Sequence, residues 1–226
     1  MFIPDASDVA RSAMLDVDPS LVEQYASLAG FLTKQPDMAT ALRGKNVPEV
    51  GTADYIRRQA KTFADARTPR APKKPDTIPD EMVSLILGEY FGLDKRRLEQ
   101  IKDEHALSMA AENVIGDLLE RYLASVLEPH GWVWCSGTMV KAIDFVKPPI
   151  STPGHWRLLQ VKNRDNSENS SSSAIRDGTT IEKWHRTFAK KPGANWAAFP
   201  DDQLCQHLSE IAFAAFVRAY LKALPK

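Results

Sequence analysis

Apolar residues recur at helical spacing through the first half of the chain. A capping-box sequence at residues 20–23 and a hydroxyl residue at Thr52 each precede apolar side chains three or four positions apart. Such spacing predicts two amphipathic helices. A third helix should begin after Asp80, and a fourth is predicted over residues 106–127. We therefore expect the N-terminal half of the chain to be mainly helical.

The pattern changes after residue 130 to the period of two that is typical of β-strands. Three strands are predicted, over residues 132–135, 139–146 and 156–162. Together with the helix before them they give the order α-β-β-β, which indicates an α/β fold.

The C-terminal segment returns to longer apolar runs. A helix is predicted over residues 181–188, a short buried strand over residues 195–199, and a last helix that begins at Asp202. The middle of that last helix, residues 211–217, is apolar on every side. We expect it to lie in the core or at a subunit interface.

The third predicted strand has one apolar and one polar side. Leu159 and Val161 share the face that should enter the core, whereas Gln160 and Lys162 share the opposite face. Asp144, on the neighbouring strand, could meet these two polar side chains. A carboxylate, an amide oxygen and a lysine at one sheet edge can hold a divalent metal ion and an attacking water against a phosphodiester.

A further carboxylate is predicted on the helix that precedes the strands. Stepping back from its apolar stripe at Leu119 leads to Gly116 and then to Glu112, which would therefore face the core. An unpaired carboxylate is costly there, so it would need a function. The alternative is that Glu112 lies in a frayed first turn, where the helix dipole favours it. Glu120 and Asp117 fall beside the stripe and are expected to be solvated.

Charge is distributed unevenly along this chain of 226 residues, although the formal net charge is zero. Residues 141–191 contain ten Lys or Arg against five Asp or Glu, and residues 57–74 contain seven basic residues and one acidic residue. Zero net charge counts mildly against a nucleic-acid partner, but a neutral protein with basic faces can still bind DNA.

Composition places the chain among ordinary globular proteins, with 43% hydrophobic and 26% charged residues. Cys135 and Cys205 form neither a disulfide framework nor a metal-ligand spacing. No apolar run is long enough to span a bilayer, and no signal peptide is recognisable. We expect a cytoplasmic protein without a membrane partner and without an organic cofactor.

Two segments suggest how the chain is organised. Residues 68–79 contain four prolines and two adjacent lysines, which predicts an extended linker. The division expected from it is a helical N-terminal region with its linker at residues 1–79 and an α/β core at residues 80–226. Within the core, residues 163–186 are rich in Ser, Asn and Arg, side chains that suit contacts with phosphates and bases. We expect this segment to recognise DNA.

The order Glu112, Asp144 and then Gln160-Val161-Lys162 resembles the PD-(D/E)xK nuclease superfamily. The motif of that superfamily is an Asp, a variable gap and then Glu/Asp-x-Lys, on a mixed central sheet flanked by helices. The chain departs from it at Gln160, where most members carry Glu or Asp. An amide oxygen can coordinate a hard cation but adds no negative charge, so Glu112 gains importance as a compensating carboxylate.

The resemblance implies a role for each of these residues. Asp144, Gln160, the Val161 carbonyl and Glu112 would hold Mg²⁺. Lys162 would orient or deprotonate the attacking water and stabilise the charge that develops on the phosphorus oxygens.

A wider run, most specifically residues 111–186, resembles type II restriction endonucleases of the SinI/AvaII group. This resemblance covers most of the chain and implies a homodimer that cleaves double-stranded DNA at GGWCC with Mg²⁺. The polar side chains expected to contact DNA are Asn163, Arg164, Asn166, Arg176, Lys183 and Arg186.

Three other functions remain compatible with the sequence. The same core could serve a repair or recombination nuclease that selects DNA structure and not sequence. It could also belong to a DNA-binding protein that has lost catalysis, which the amide at Gln160 favours. An interaction domain unrelated to DNA is supported only by the zero net charge.

Overall fold

A four-stranded mixed sheet forms the centre of the structure. The computed structural model describes residues 1–150, 155–165 and 180–225. Across the sheet the strands run in the order β1 (Val133–Trp134), β2 (Phe145–Lys147), β3 (Arg157–Arg164) and β4 (Ile181–Thr187). β1, β2 and β3 pair antiparallel, whereas β3 and β4 pair parallel. The predicted α/β class with a mixed central sheet is confirmed.

Seven α-helices accompany the sheet within the described ranges. They are α1 (Ala6–Leu15), α2 (Val22–Lys34), α3 (Ala53–Asp65), α4 (Glu81–Phe91), α5 (Lys95–Leu127), α6 (Asp202–Cys205) and α7 (Glu210–Ala223). Short 3₁₀ helices cover Pro19–Leu21, Pro36–Met38, Glu128–His130 and Trp196–Ala198. No helix in this part of the chain is both long and apolar enough to cross a membrane.

Both faces of the sheet are buried, each under a different set of helices. On one face, α1, α2 and α3 pack around Val133, Val146 and Leu158. On the other face, the second half of α5 with α6 and α7 covers Leu159, Val161 and further residues of the sheet. The prediction that Leu159 and Val161 enter the core is confirmed, and residues 1–65 form one layer of the same sheet-centred fold.

The helix predicted over residues 181–188 is wrong, because Ile181–Thr187 is strand β4. Ile181 and Trp184 are buried and lie three positions apart, a spacing that imitates a helix. The parallel ladder to β3 satisfies the backbone of this segment instead, with Trp184 opposite Val161. Pairing with a strand so distant in sequence leaves no local signal in the chain.

Other predicted boundaries also differ from the structure. The strand expected over residues 195–199 is a 3₁₀ helix, and the strand expected over residues 139–146 is shortened to β2. Residues 106–127 belong to the longer α5, which an N-cap at Asp94 starts. The capping box at residues 20–23 is absent, since Asp18 caps the 3₁₀ helix that precedes α2.

The last predicted helix is divided in two. Its first turn is α6, and Ser209 then caps α7 by accepting a hydrogen bond from the Ala212 backbone N–H. Within residues 211–217 only Phe213 is buried, and Ile211 is 83% exposed. The segment is therefore not enclosed by the core of this chain.

Two arginines, the buried Arg121 and the partly buried Arg67, join α3 to α5 and the sheet. Arg121 donates to the backbone carbonyls of Ala66, Arg67 and Thr68 at 2.6–2.9 Å, and its Nε pairs with Asp117 at 2.7 Å. Arg67 in turn pairs with Glu128 at 2.7 and 3.0 Å. The segment that follows α3 is thereby fixed to the helix that carries the candidate site.

Replacing Arg121 with Met should lower the free energy of unfolding by about 3 kcal/mol. The substitution leaves three carbonyls and the Asp117 carboxylate without their donors, and breaking such a buried arrangement is costly. Urea denaturation followed by circular dichroism measures the change.

Arg57→Ala is the matched control, because Arg57 makes an exposed pair with Asp54. We expect a loss of about 0.5 kcal/mol or less for this variant. Equal losses for the two arginines would contradict the structural role given to Arg121.

Candidate active site

The candidate site lies where β2 begins and separates from β3. Asp144 immediately precedes β2, and its backbone N–H donates to the Leu159 carbonyl at 2.9 Å. Its backbone carbonyl accepts from the Cys135 N–H at 2.8 Å. The carboxylate accepts from the Val161 backbone N–H at 2.6 Å. Three backbone contacts therefore fix the position of this side chain.

The approach to Asp144 contains an unusual backbone conformation. Ala142 has a φ of 56°, in the left-handed region that side chains other than glycine seldom adopt. Such a conformation costs on the order of 1 kcal/mol and persists only where the surroundings impose it. Its position two residues before the partly buried Asp144 carboxylate is typical of a functional site.

Glu120 on α5 approaches the same place from outside the sheet. It is partly buried, and its Oε2 accepts a hydrogen bond from the Trp134 indole N–H at 3.0 Å. Burial and the nearby Asp144 charge raise the pKa of Glu120 to about 8. Lys162 acts in the opposite direction on the pKa of both carboxyl groups.

Asp144 also has a raised pKa, of about 6. Burial is the main cause, and the hydrogen bond from Val161 together with the Lys162 charge lowers the value in part. The site thus contains two carboxyl groups that repel each other and one ammonium group that attracts both. Such groups with displaced pKa values are frequent in active sites.

Gln160 and Lys162 lie on β3 with side chains on one face, as the strand period predicts. Gln160 is buried and Lys162 is partly buried. In the ladder to β4, Lys183 lies beside Gln160 and His185 beside Lys162. The polar face predicted for this strand thus continues across β4.

The predicted position of Glu112 on the core-facing side is wrong. Glu112 is exposed, and the Ser108 hydroxyl contacts its carboxylate at 3.4 Å. The residues of α5 are buried mainly from Leu118 onward. The same side of the helix is exposed to solvent nearer its N-terminus, where Glu112 lies. Glu112 lines a cleft of about 670 Å³ that Glu120 and Lys162 also line.

The solvated positions expected for Glu120 and Asp117 are also wrong. Glu120 belongs to the site, and Asp117 pairs with the buried Arg121. Periodicity could not identify Glu120, since it lies at the edge of the stripe and its partner Trp134 comes from a strand. A carboxylate directly beside Leu119 was the single signal available.

The residues expected to contact DNA have different surroundings. Asn163 accepts two hydrogen bonds from Arg186, which is buried and also pairs with Glu210. These contacts hold α7 against β3 and β4. The Arg186 guanidinium is therefore used for contacts within the protein. Arg164 and Lys183 are exposed at the surface. Asn166 and Arg176 lie outside the described residues.

Oxygen atoms dominate the groups available to a metal ion. No cluster of three or more His, Cys, Asp or Glu side chains suited to a metal occurs among residues 1–150, 155–165 and 180–225. The oxygen groups near this point are two carboxylates, Glu120 and Asp144, with the Gln160 amide and the Val161 carbonyl on the adjacent strand. Oxygen donors of this kind suit a hard divalent cation, whose charge would relieve the repulsion between the carboxylates.

Glu120→Gln should reduce the loss of stability at alkaline pH. A carboxyl whose pKa is raised in the folded state binds its proton more tightly there than in the unfolded chain. Its contribution to stability is therefore present at low pH and is lost as the pH rises through the folded pKa, here near 6 for Asp144 and near 8 for Glu120. In a chelating buffer at about pH 9, the free energy of unfolding of the variant should exceed that of the original protein by about 1 kcal/mol or more.

Urea denaturation between about pH 5 and about pH 9 measures this difference. Glu112→Gln is the matched control on the same helix, and its free energy of unfolding should follow that of the original protein. Parallel pH curves for Glu120→Gln and the original protein would mean that Glu120 is not a buried ionisable group.

Comparison with known proteins assigns the chain to a family. A model of the SinI restriction endonuclease family matches residues 6–223. The chain is 48% identical over 221 residues to the type II restriction enzyme Eco47I of Escherichia coli, covering 97% of this chain and 96% of that enzyme. It is 48% identical over 224 residues to the type II restriction enzyme SinI of Salmonella infantis, covering 99% and 97%. The chain therefore belongs to the SinI restriction endonuclease family, the group of type II restriction enzymes that its sequence resembles.

Proposed function

We propose that the cleft where β2 separates from β3 hydrolyses phosphodiester bonds of double-stranded DNA, and that its core is of the PD-(D/E)xK type. The observation that carries the proposal is the convergence of Glu120, Asp144 and Lys162 where β2 separates from β3, because the Asp144 and Lys162 charges both act on the pKa of Glu120. Membership in a family of type II restriction enzymes supports it.

The cofactor proposed for this site is Mg²⁺. Asp144 and Glu120 would hold it, with the Gln160 amide oxygen and the Val161 carbonyl as neutral ligands. Glu120 takes the place that the sequence assigned to Glu112. When bound, the ion supplies positive charge to the phosphate oxygens and lowers the pKa of a coordinated water.

The protein's own groups then have separate tasks. The Val161 N–H binds one carboxylate oxygen of Asp144. The backbone therefore also fixes the direction in which the other oxygen points. The Lys162 ammonium orients the attacking water and stabilises the charge that develops on the scissile phosphate. The Glu120 carboxyl, with a pKa of about 8, would release its proton to solvent if a cation were held beside it.

Recognition of DNA is proposed for the polar surface that follows β3. Arg164 and Lys183 are exposed on adjacent strands near Lys162, and the segment from Asn163 onward includes Asn166 and Arg176. Asn163 and Arg186 would support this surface from inside through their mutual hydrogen bonds. We propose the target GGWCC and a homodimer whose two-fold axis matches that of the DNA site.

A digest of defined DNA tests the proposal. Two duplexes would be compared, one with a single GGWCC site and one with one base pair of that site changed. With Mg²⁺ we expect two discrete fragments from the first duplex only, and no cleavage in the presence of a chelator. A smear of products would indicate a nuclease that does not read sequence.

Asp144→Asn, Lys162→Ala and Glu120→Gln should each lower the cleavage rate by at least about 100-fold while DNA binding in a gel-shift assay is retained. Each substitution removes a charge or a proton donor from the cleft. Glu49→Gln, an exposed carboxylate of the N-terminal region, is the control and should cleave at the original rate. Full activity of Asp144→Asn would place the active site elsewhere. If the original protein bound DNA but did not cleave it, the protein would be a DNA-binding protein that has lost catalysis.

A further inference from the structure

Glu120 lines two neighbouring clefts in the described part of the chain. One, of about 670 Å³, also contains Lys162 and Arg164 and is called the Lys162 cleft below. The other, of about 510 Å³, contains Asp144 and Arg70 and is called the Asp144 cleft. Glu120 is the one described residue that belongs to both linings. The two clefts therefore meet at the candidate active site.

The charged side chains of the Asp144 cleft differ in whether they have partners. Four carboxylates line it, those of Asp65, Asp117, Glu120 and Asp144. Two of them form ion pairs with cations of their own helices, and the other two accept hydrogen bonds from N–H groups. Arg70 is the single basic residue of the described lining, and it is exposed. Its guanidinium makes no ion pair or hydrogen bond within residues 1–150, 155–165 and 180–225, so its charge is available to a ligand.

The backbone of Arg70 is held in place although its side chain is exposed. The Tyr220 hydroxyl of α7 accepts a hydrogen bond from the Arg70 N–H at 2.5 Å and donates to the Arg70 carbonyl at 3.2 Å. Arg121 binds the carbonyls of residues 66–68, just before it. Binding an anion costs conformational freedom, and a backbone that is already fixed reduces that cost. Arg70 is thus an anchored cation at the edge of the candidate site.

We propose that Arg70 binds a phosphate of the cleaved DNA strand next to the scissile phosphate, so that this strand lies along both clefts. The scissile phosphate would lie near Glu120, where the clefts meet, with Arg164 on the side of the Lys162 cleft. A guanidinium suits this role because its planar N–H groups match two oxygens of one phosphate. The inference rests on the proposed function, since it takes the ligand of the clefts to be DNA.

The charge of the Asp144 cleft explains why a phosphate there needs an arginine. A lining with four carboxylates repels a phosphodiester. A divalent ion held by Asp144 and Glu120 would offset this repulsion mainly at the scissile phosphate, because the attraction falls with distance. Arg70 supplies positive charge to the next phosphate along the strand. Its expected contribution is therefore to DNA binding and to the position of the strand, without contact to the reacting atoms.

The salt dependence of DNA binding tests whether Arg70 contacts a phosphate. Gel-shift titrations in a chelating buffer would use duplexes with and without GGWCC, at salt concentrations from about 50 to about 200 mM. Arg70→Ala should lower the slope of log K against log salt by about one, and should weaken binding to both duplexes by a similar factor. Arg70→Lys should keep most of the slope, because it keeps the charge.

Arg43→Ala is the matched control for these titrations. Arg43 is also exposed, but it lines neither cleft, and its removal should leave the slope unchanged. Far-UV circular dichroism confirms that the variants remain folded. An unchanged slope for Arg70→Ala, or an equal reduction for Arg43→Ala, would overturn the proposal.

Uncharged phosphates in the DNA locate the contact. Duplexes would carry one methylphosphonate at each position of the cleaved strand in turn, and cleavage by the original protein with Mg²⁺ would identify the scissile bond. At the phosphate next to that bond, the substitution should weaken binding by the original protein about 10-fold and should have almost no further effect on Arg70→Ala. Additive effects at every position, or coupling only to a distant phosphate, would overturn the assignment.

Binding is measured without metal, so the two failures are distinguishable. Cleavage by the original protein together with an unchanged slope for Arg70→Ala would leave the proposed function standing and remove the role of Arg70. Binding without cleavage would remove the proposed function, and a phosphate coupled to Arg70 would still confirm the contact. An original protein that does not bind DNA would overturn both.

Discussion

The hydrogen bond from the Val161 N–H to the Asp144 carboxylate is the contact on which both the sheet and the candidate site depend. β2 begins only after Asp144, so on the edge of β3 that faces β2 the Val161 N–H bonds to a side chain and not to a strand. A buried N–H without an acceptor would cost about 1–3 kcal/mol. The carboxylate expected to take part in catalysis therefore also completes the sheet, and the backbone of β3 fixes its position.

Helix α5 connects the candidate site to the segment that follows α3 and to α4. Its 33 residues span about 50 Å. Glu120 extends from it into the site, and the adjacent Arg121 binds the segment after α3. Its N-terminal half packs against α4. Burying Glu120 beside Asp144 opposes ionisation of both groups, which is the condition under which a divalent cation binds with the greatest benefit.

The sequence by itself determined the features that depend on neighbours along the chain. Thr52 and Asp80 cap their helices as predicted, because a cap needs only the backbone of the next turn. Alternation on β3 predicted that Leu159 and Val161 are buried, since successive side chains of a strand point to opposite faces. The motif order likewise indicated the restriction endonuclease family without any tertiary information.

Tertiary structure decided which distant surfaces meet. Residues 181–187 became a strand because β3 offered a parallel partner, which no local spacing encodes. Glu120 and not Glu112 lies beside Asp144, since the sheet covers only the second half of α5. Arg186, expected at the DNA, is instead held by Asn163 and Glu210. In each case the residue type was recognisable in the sequence, but its partner was supplied by a segment far away in the chain, and burial depends on such partners.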